Sequence, residues 1–197
     1  MLETGVTEVY RTKRVKHPRK ETGMAPTPTG RLVRAADRTE LVIKRTFPAP
    51  ISDVWSSITE SDRTERWYGP WKTSDGDKPD AGSSISVQML FEEGQPWCDA
   101  RIVRCEPPSR LDLVLLTSED ESTAWRISLT LGEEAGFTTL ALAHHIVPGV
   151  DVGDVGAGWE YYLDMLVSAR EGSPQPKFED YYPAQREHFS SQEIAED

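Results

Sequence analysis

The stretch Leu41-Val-Ile-Lys-Arg-Thr-Phe-Pro-Ala-Pro-Ile-Ser-Asp-Val-Trp55 changes from the hydrophobic period of a strand to that of a helix. Before the prolines, apolar side chains share one face of an extended chain, with Arg45 as the exception. Pro48-Ala-Pro50 ends the strand and favours a helix start. The next apolar residues recur at helical spacing and predict a short amphipathic helix: Ile51, Val54, Trp55 and Ile58. A second helical turn is expected from about Ser61 to Trp67.

Downstream of these helices the hydrophobic period is two. The segment from Ile85 to Phe91 alternates Ile85, Val87, Met89 and Phe91 with a second, mostly polar set, which predicts a half-buried strand. Similar alternation predicts further strands at Trp97–Arg104, Leu111–Leu115, Trp125–Leu131 and Phe137–Val147. Short polar turns join them, whereas a parallel crossover needs about a dozen residues, so consecutive strands are expected to be antiparallel neighbours.

A long helix is expected near the C-terminus, over Trp159–Arg170. Its apolar face is wide enough to cover one face of a sheet: Trp159, Tyr162, Leu163, Leu166 and Val167, with Arg170 at its end. The order is therefore strand, two short helices, a run of strands and a long helix, which predicts an α+β fold. Because such a sheet twists, a single helix on its inner face leaves a gap, and that gap is the candidate pocket.

Four stretches in this order resemble the START-like (SRPBCC) superfamily, and within it the branch named after the activator of the heat-shock-protein-ninety ATPase. They are Leu41 to Trp55, Thr59-Glu-Ser-Asp-Arg-Thr-Glu-Arg-Trp67 with Gly69-Pro-Trp71, Cys105-Glu-Pro-Pro-Ser-Arg-Leu111, and Gly153-Asp-Val-Gly-Ala-Gly-Trp-Glu-Tyr-Tyr-Leu163. The resemblance implies a helix-grip fold, in which a curved antiparallel sheet wraps around the C-terminal helix and encloses a hydrophobic cavity. It implies little about activity, because such folds carry lipid carriers, cyclases and chaperone activators.

The chain is expected to divide into three parts. Residues 1–38 carry nine Lys/Arg against four Asp/Glu and include Arg11-Thr-Lys-Arg-Val-Lys-His-Pro-Arg-Lys20, which predicts a disordered basic arm. Met24 is a candidate natural start, because everything domain-like follows it. Residues 39–172 form the helix-grip domain, and residues 173–197 an acidic tail that packs partly on it.

Charge and hydropathy exclude several classes of function. Residues 39–197 carry 13 Lys/Arg against 29 Asp/Glu, and an acidic domain of this kind repels nucleic acid and anionic membranes. No apolar run approaches the ~18 residues of a membrane span, and residues 1–23 lack a secretory apolar stretch. A cytoplasmic location is the default expectation, with no membrane span and no nucleic acid bound by the domain.

The sequence predicts no metal and no cofactor. Cys98 and Cys105 are expected to be reduced strand residues, and His144-His145 has no ligand partner at the spacing of a zinc site. The glycines of Gly153-x-x-Gly156-x-Gly158 do not match a dinucleotide or phosphate loop. They predict a flexible turn before the long helix, which is a candidate gate to the cavity.

The predicted lining of the cavity is mainly aromatic, with one polar residue to orient a ligand. It comprises Met89, Phe91, Trp125, His144, Trp159, Tyr162 and Leu166. His144 is expected to face inward because it shares a strand face with Leu140 and Leu142. It is either a buried structural histidine or a general base.

Three functions follow as hypotheses. The first is a module that binds a small apolar or aromatic molecule between the C-terminal helix and the sheet. The second is a co-chaperone-like interaction module with a protein partner, regulating an ATPase through its acidic surface. The third is a cyclase- or hydrolase-type enzyme with His144 as base, and it needs a second polar catalytic group for which the sequence offers no compelling candidate.

Overall fold

The computed structural model describes residues 26–36, 38–73, 79–116 and 123–196. Its strands are β1 (Arg31–Ala35), β2 (Arg38–Phe47), β3 (Trp71–Thr73), β4 (Ser84–Gln88), β5 (Trp97–Glu106), β6 (Arg110–Leu116), β7 (Trp125–Glu134), β8 (Phe137–Ile146) and β9 (Ala195–Glu196). Its helices are α1 (Ile51–Thr59), α2 (Ser61–Thr64), α3 (Val152–Glu171) and α4 (Arg186–Ser190), with a 3₁₀ turn at Phe178–Asp180.

The described strands form one sheet in the order β3-β4-β5-β6-β7-β8-β2-β1-β9. All neighbours are antiparallel except β1 and β9, which are parallel. The core lies on the face that carries Leu41, Ile43, Leu140 and Leu142, each at most 1% exposed. The α+β fold predicted from the hydrophobic periods and the helix-grip arrangement implied by the family resemblance are therefore both confirmed.

The sheet begins earlier than the sequence predicted. Residues 31–35 were assigned to the disordered arm, but they form β1, which pairs with β2 from Arg31 opposite Val42 to Ala35 opposite Arg38. The buried Glu160 carboxylate accepts hydrogen bonds from the backbone N–H groups of Thr29 (2.5 Å) and Gly30 (2.7 Å). Thr29 and Gly30 bond to a residue far away in the sequence, so no local sequence pattern indicates these contacts. Residues 1–25, with the basic run and Met24, lie outside the described part of the chain.

The long helix also begins earlier than predicted, and the glycine segment is part of it. Asp151 caps α3 by accepting from the backbone N–H of Gly153 at 2.9 Å. A Cβ on Gly156 would lie 2.3 Å from the Phe189 ring, and one on Gly153 2.6 Å from Ser190 Oγ. The glycines therefore let α4 pack closely on α3, and the prediction of a flexible turn there is wrong.

Arg45, the exception in the apolar face of β2, joins a buried ion-pair network. Its guanidinium contacts Glu160 at 2.6 Å and Asp164 at 2.7 Å, and Tyr181 donates to Asp164 at 2.6 Å. Charged groups at this depth need such partners. The network ties β2 and the segment after α3 to the helix. Within the described residues, no helix combines the length and apolar character that a membrane span requires.

Candidate ligand cavity

A cavity of about 540 Å³ lies between the α1–α2 segment and the inner face of β3 to β7. From α3 only Trp159 lines it, and from β8 only Leu142. The sequence placed the pocket between the C-terminal helix and the sheet. The short helices form most of its roof instead, because α3 packs farther along the sheet, against β2.

The sheet side of the cavity is mainly aliphatic, with Trp71 of β3 as its aromatic member. The alternation of each strand points every second side chain inward, so neighbouring strands contribute residues in register. Leu115 lies opposite Ala100, and Leu113 opposite Ile127, across the β5–β6 and β6–β7 pairs. Its aliphatic members are Ile85, Val87, Ala100, Ile102, Leu111, Leu113, Leu115, Ile127, Leu129 and Leu142.

Aromatic residues complete the lining, and they are Trp55 on α1, Trp67 and Tyr68 just after α2, Trp71 on the edge strand β3 and Trp159 on α3. Hydrogen bonds fix three of these indoles. The Nε1–H of Trp67 donates to Ser57 O at 2.9 Å, that of Trp71 to Thr59 O at 3.1 Å, and that of Trp159 to His144 Nδ1 at 3.0 Å. The rings are therefore held in place before any ligand arrives.

Hydroxyl groups at the cavity edge are used within the protein. Thr59 donates to Trp55 O at 2.8 Å, Thr64 to Ser61 O at 3.1 Å, and Ser61 to Trp71 O at 2.7 Å. Each bond satisfies a polar atom that would otherwise be costly beside an apolar space. The surface that a ligand would meet is accordingly apolar.

Among the described lining residues, Glu60 and Pro107 are the exposed ones, and Cys105 is half-buried. We therefore place the mouth of the cavity between the α1–α2 junction and the β5–β6 turn. Glu60 forms an ion pair with Arg63 at 3.0 Å, and Arg63 also contacts Asp53 at 2.8 Å. The mouth therefore carries a carboxylate and a thiol. Neither cysteine is in a disulfide.

Four of the seven predicted lining residues lie at or near this cavity. Trp159 lines it directly. Met89, Trp125 and Tyr162 surround a separate void of about 10 Å³, which shares Tyr68 and Trp159 with the large cavity. A void of that size holds no more than about one water molecule. As lining of the 540 Å³ cavity, these three positions are corrected.

The remaining three predicted residues lie away from both spaces. Leu166 is 1% exposed in the core, and Phe91 lies in the turn after β4, which ends at Gln88. His144 faces inward, as expected, but it is 1% exposed and sits behind Trp159 and against the Trp125 ring, 4.8 Å between centroids. The structure therefore gives His144 no place on the cavity wall.

His144 is electrostatically a neutral core residue. Burial, with a smaller contribution from His145, lowers its pKa from 6.5 to about 4. Its Nδ1 lone pair accepts the Trp159 hydrogen bond. A general base needs that lone pair and access to substrate, so the enzymatic hypothesis gains no support from this geometry.

Sequence reasoning missed the roof of the cavity. Trp55 belongs to the apolar stripe of α1, Trp67 lies just after α2, and Trp71 begins β3. None of the three was among the predicted lining residues. The available signal was three tryptophans within 17 residues, from Trp55 to Trp71. Among the described residues, no group of three or more His, Cys, Asp or Glu could hold a metal ion.

The fold and the enclosed apolar space define a START-like helix-grip protein. The chain belongs to the family described as activator of Hsp90 ATPase homolog 1-like protein, whose model matches residues 48–171. No curated protein matches the chain.

Solved structures with the same fold include CalU16 from Micromonospora echinospora, at 26% identity and a TM-score of 0.68, covering 84% of this chain and 98% of that one. DynU16, from the dynemicin biosynthetic locus, is 25% identical with a TM-score of 0.57, covering 71% of this chain and 50% of that one. The Aha1 dimer from Colwellia psychrerythraea shares the fold at 17% identity and a TM-score of 0.54, over 66% of this chain and 94% of that one.

Proposed function

We propose that the chain binds a small apolar or aromatic molecule in the cavity beneath α1 and α2. The observation that carries this proposal is the cavity of about 540 Å³, which is lined mainly by aliphatic and aromatic side chains. Sites for small molecules commonly measure about 300–1,000 Å³ and are lined mainly by apolar and aromatic side chains. The cavity matches this class in both size and lining.

The energetic argument is that a bound apolar molecule supplies packing partners to the side chains that line the cavity. Protein interiors are close-packed, and atoms around a void lose the dispersion contacts that a neighbour would supply. A bound apolar molecule restores these contacts and leaves water, which contributes about 25 cal/mol per Å² of apolar surface buried. Because the edge hydroxyls are already bonded, a ligand needs few polar groups of its own.

Filling the cavity with a side chain tests the proposal. Ala100 is 2% exposed and points into the cavity from β5, so Ala100→Phe places a ring where a ligand would lie. The uncharged dye Nile red should bind the native chain saturably, with enhanced emission. The affinity of the dye for Ala100→Phe should be at least about tenfold lower than for the native chain. A pocket buries most of its ligand's surface, and the new ring takes up part of that space.

Arg101→Phe is the matched control, since Arg101 is exposed on the same strand and does not line the cavity. It should bind Nile red as the native chain does, and thermal melts should report folded protein for both variants. Equal affinity of Ala100→Phe and the native chain would contradict the proposal.

The thiol at the cavity mouth provides an independent test. In a Cys98→Ser background Cys105 is the single thiol, and N-ethylmaleimide should label it. Saturating Nile red should slow that labelling by about fivefold or more, because reaction requires an accessible thiolate. The protection should disappear when Ala100→Phe is added. Unchanged labelling at saturating dye would place the dye elsewhere.

A second candidate is a co-chaperone-like module that regulates an ATPase. The description of its family, together with the excess of acidic residues in 39–197, favours this alternative. The test is the ATPase rate of an Hsp90 from the source cell with and without the chain. Stimulation at stoichiometric amounts supports the alternative, and an unchanged rate with no retained complex counts against it.

A further inference from the structure

We infer that the ligand is an uncharged, planar ring compound, and that the cavity discriminates against molecules with an acidic head group. This inference rests on the proposed function and adds the chemical class. Its basis is that most aromatic lining residues lie on the helical side of the cavity and most aliphatic ones on the sheet, and that the one carboxylate among the described lining residues belongs to the exposed Glu60.

The unlike sides of the cavity favour a flat molecule. Four of the five aromatic residues in the described lining lie on α1, just after α2 or on α3, and the fifth, Trp71, is on the edge strand β3. The remaining strands contribute aliphatic side chains and Cys105. Tyr68 and Trp159 are nearly parallel, with an interplanar angle of 11° and 6.0 Å between ring centroids. A planar ring system can bury one face against aromatic rings and the other against branched aliphatic chains. Aromatic contacts of this kind add stabilisation beyond burial alone.

The charges of the lining disfavour an acid. Among the lining residues that the structure describes, none is Lys, Arg or His. A carboxylate or phosphate within the cavity would lose its hydration without gaining a cationic partner. The nearby guanidinium of Arg63 is already shared between Glu60 and Asp53.

An acidic head group at the mouth of the cavity is also disfavoured. Glu60 lines the opening, its side chain is 52% exposed, and it occupies the guanidinium of Arg63 at 3.0 Å. An amphiphile that inserts its tail and leaves an acid at the surface would place two negative charges near each other. Glu60 is therefore the residue that sets charge selectivity.

A panel of matched probes tests this assignment on the full chain. The probes are 1-pyrenemethanol and pyrene-1-carboxylate, which share a planar ring system, and palmitate with hexadecanol, which share a flexible chain. Affinities come from calorimetry at pH 7.5. Pyrenemethanol should bind at least about tenfold more tightly than pyrenecarboxylate, because the buried acid lacks a partner. It should also bind more tightly than palmitate and hexadecanol.

Charge reversal at the mouth supplies the second arm. Glu60→Lys should lower the ratio of the affinities for pyrenemethanol and pyrenecarboxylate by about threefold or more, because it replaces a repulsive charge with an attractive one. Glu60→Gln should lower this ratio by less, because it only removes the repulsive charge. Glu65→Lys is the matched control. Glu65 is an exposed neighbour that does not line the cavity, so it changes net charge equally without altering selectivity.

The outcomes separate the two proposals. If no probe binds, the proposed function fails. If the probes bind but the acids match or exceed their uncharged partners, or hexadecanol exceeds pyrenemethanol, the proposed function stands and the ligand class is overturned. Equal effects of Glu60→Lys and Glu65→Lys on the affinity ratio would show that Glu60 does not set the charge selectivity. Should Glu60→Lys fail to fold, Glu60→Gln carries the same comparison.

Discussion

At the scale of single residues, the hydrogen bond between Trp159 and His144 fixes the orientation of the Trp159 indole in the cavity wall. The indole N–H of Trp159 donates to Nδ1 of His144, both groups are buried, and Trp159 then faces the cavity. The histidine must be neutral, because protonating Nδ1 would remove the acceptor and place a charge in the core. Its pKa of about 4 reflects that burial.

This pair predicts a pH dependence of stability. The unfolded histidine titrates near 6.5 and the folded one near 4, so the unfolded state binds more protons between these values. The contribution of His144 is fully present above about pH 7, is lost progressively as pH falls towards 4, and totals about 3 kcal/mol. His144→Phe should remove this component and also destabilise the protein at pH 7.5, because the Trp159 N–H loses its acceptor.

Urea unfolding of the native chain and of His144→Phe between pH 7.5 and 4.5 measures the effect. The difference in the free energy of unfolding between the two proteins isolates His144 from the carboxylates, which titrate in both. His145→Phe is the control, since His145 is half-buried and adjacent. A difference that stays constant with pH would refute the assignment.

At the scale of elements, α3 is shaped by what packs on it. The glycines at its start were predicted to be a flexible turn, yet they lie within the helix beneath α4. Gly156→Ala should displace the Phe189 ring and cost roughly 1–3 kcal/mol, as overpacking does. In a Phe189→Ala background the same substitution should be neutral or stabilising, because Ala favours a helix over Gly by about 1 kcal/mol.

A double-mutant cycle followed by urea unfolding measures this change of sign. Additive effects of Gly156→Ala and Phe189→Ala would mean that the two side chains do not compete for the same space.

The strands could be predicted from the sequence because their signal is local, whereas the position of the cavity has no local signal. Alternation in the segments Trp125–Leu131 and Phe137–Val147 is local, and short turns force neighbours to pair, so β7 and β8 follow from the sequence. The contact of Gly156 with Phe189 links residues far apart in sequence and leaves no periodic signal. The same holds for β1, whose nearby anchor is Glu160.

At the scale of the whole molecule, both ends of the described chain close over α3. Gln185 Nε2 donates to Pro26 O at 2.8 Å, and Gln192 Nε2 donates to Gly30 O at 2.9 Å. This packing backs the helix that carries Trp159, whereas the cavity opens at Glu60 and Pro107. We therefore expect a ligand to enter at the mouth and not past α3.

The position of the cavity could be predicted only in part. The fold implied an apolar space against the sheet, and of the seven residues predicted to line it Trp159 is the one on the wall of the 540 Å³ cavity. How α1 and α2 lie over the strands is a tertiary property. The clustering of Trp55, Trp67 and Trp71 in the sequence was a signal of an aromatic surface, but it did not indicate where in the fold that surface lies. His144 pointed inward as alternation requires, but the space it faces is filled by Trp159.

The most direct test of ligand binding in this cavity is a crystal structure of the chain saturated with Nile red. The predicted result is electron density for one dye molecule between the indole of Trp71 and the side chain of Leu113, with the helix α3 unmoved. A cavity without dye density at saturation, or a dye bound only on the outer face of the sheet, would contradict the account.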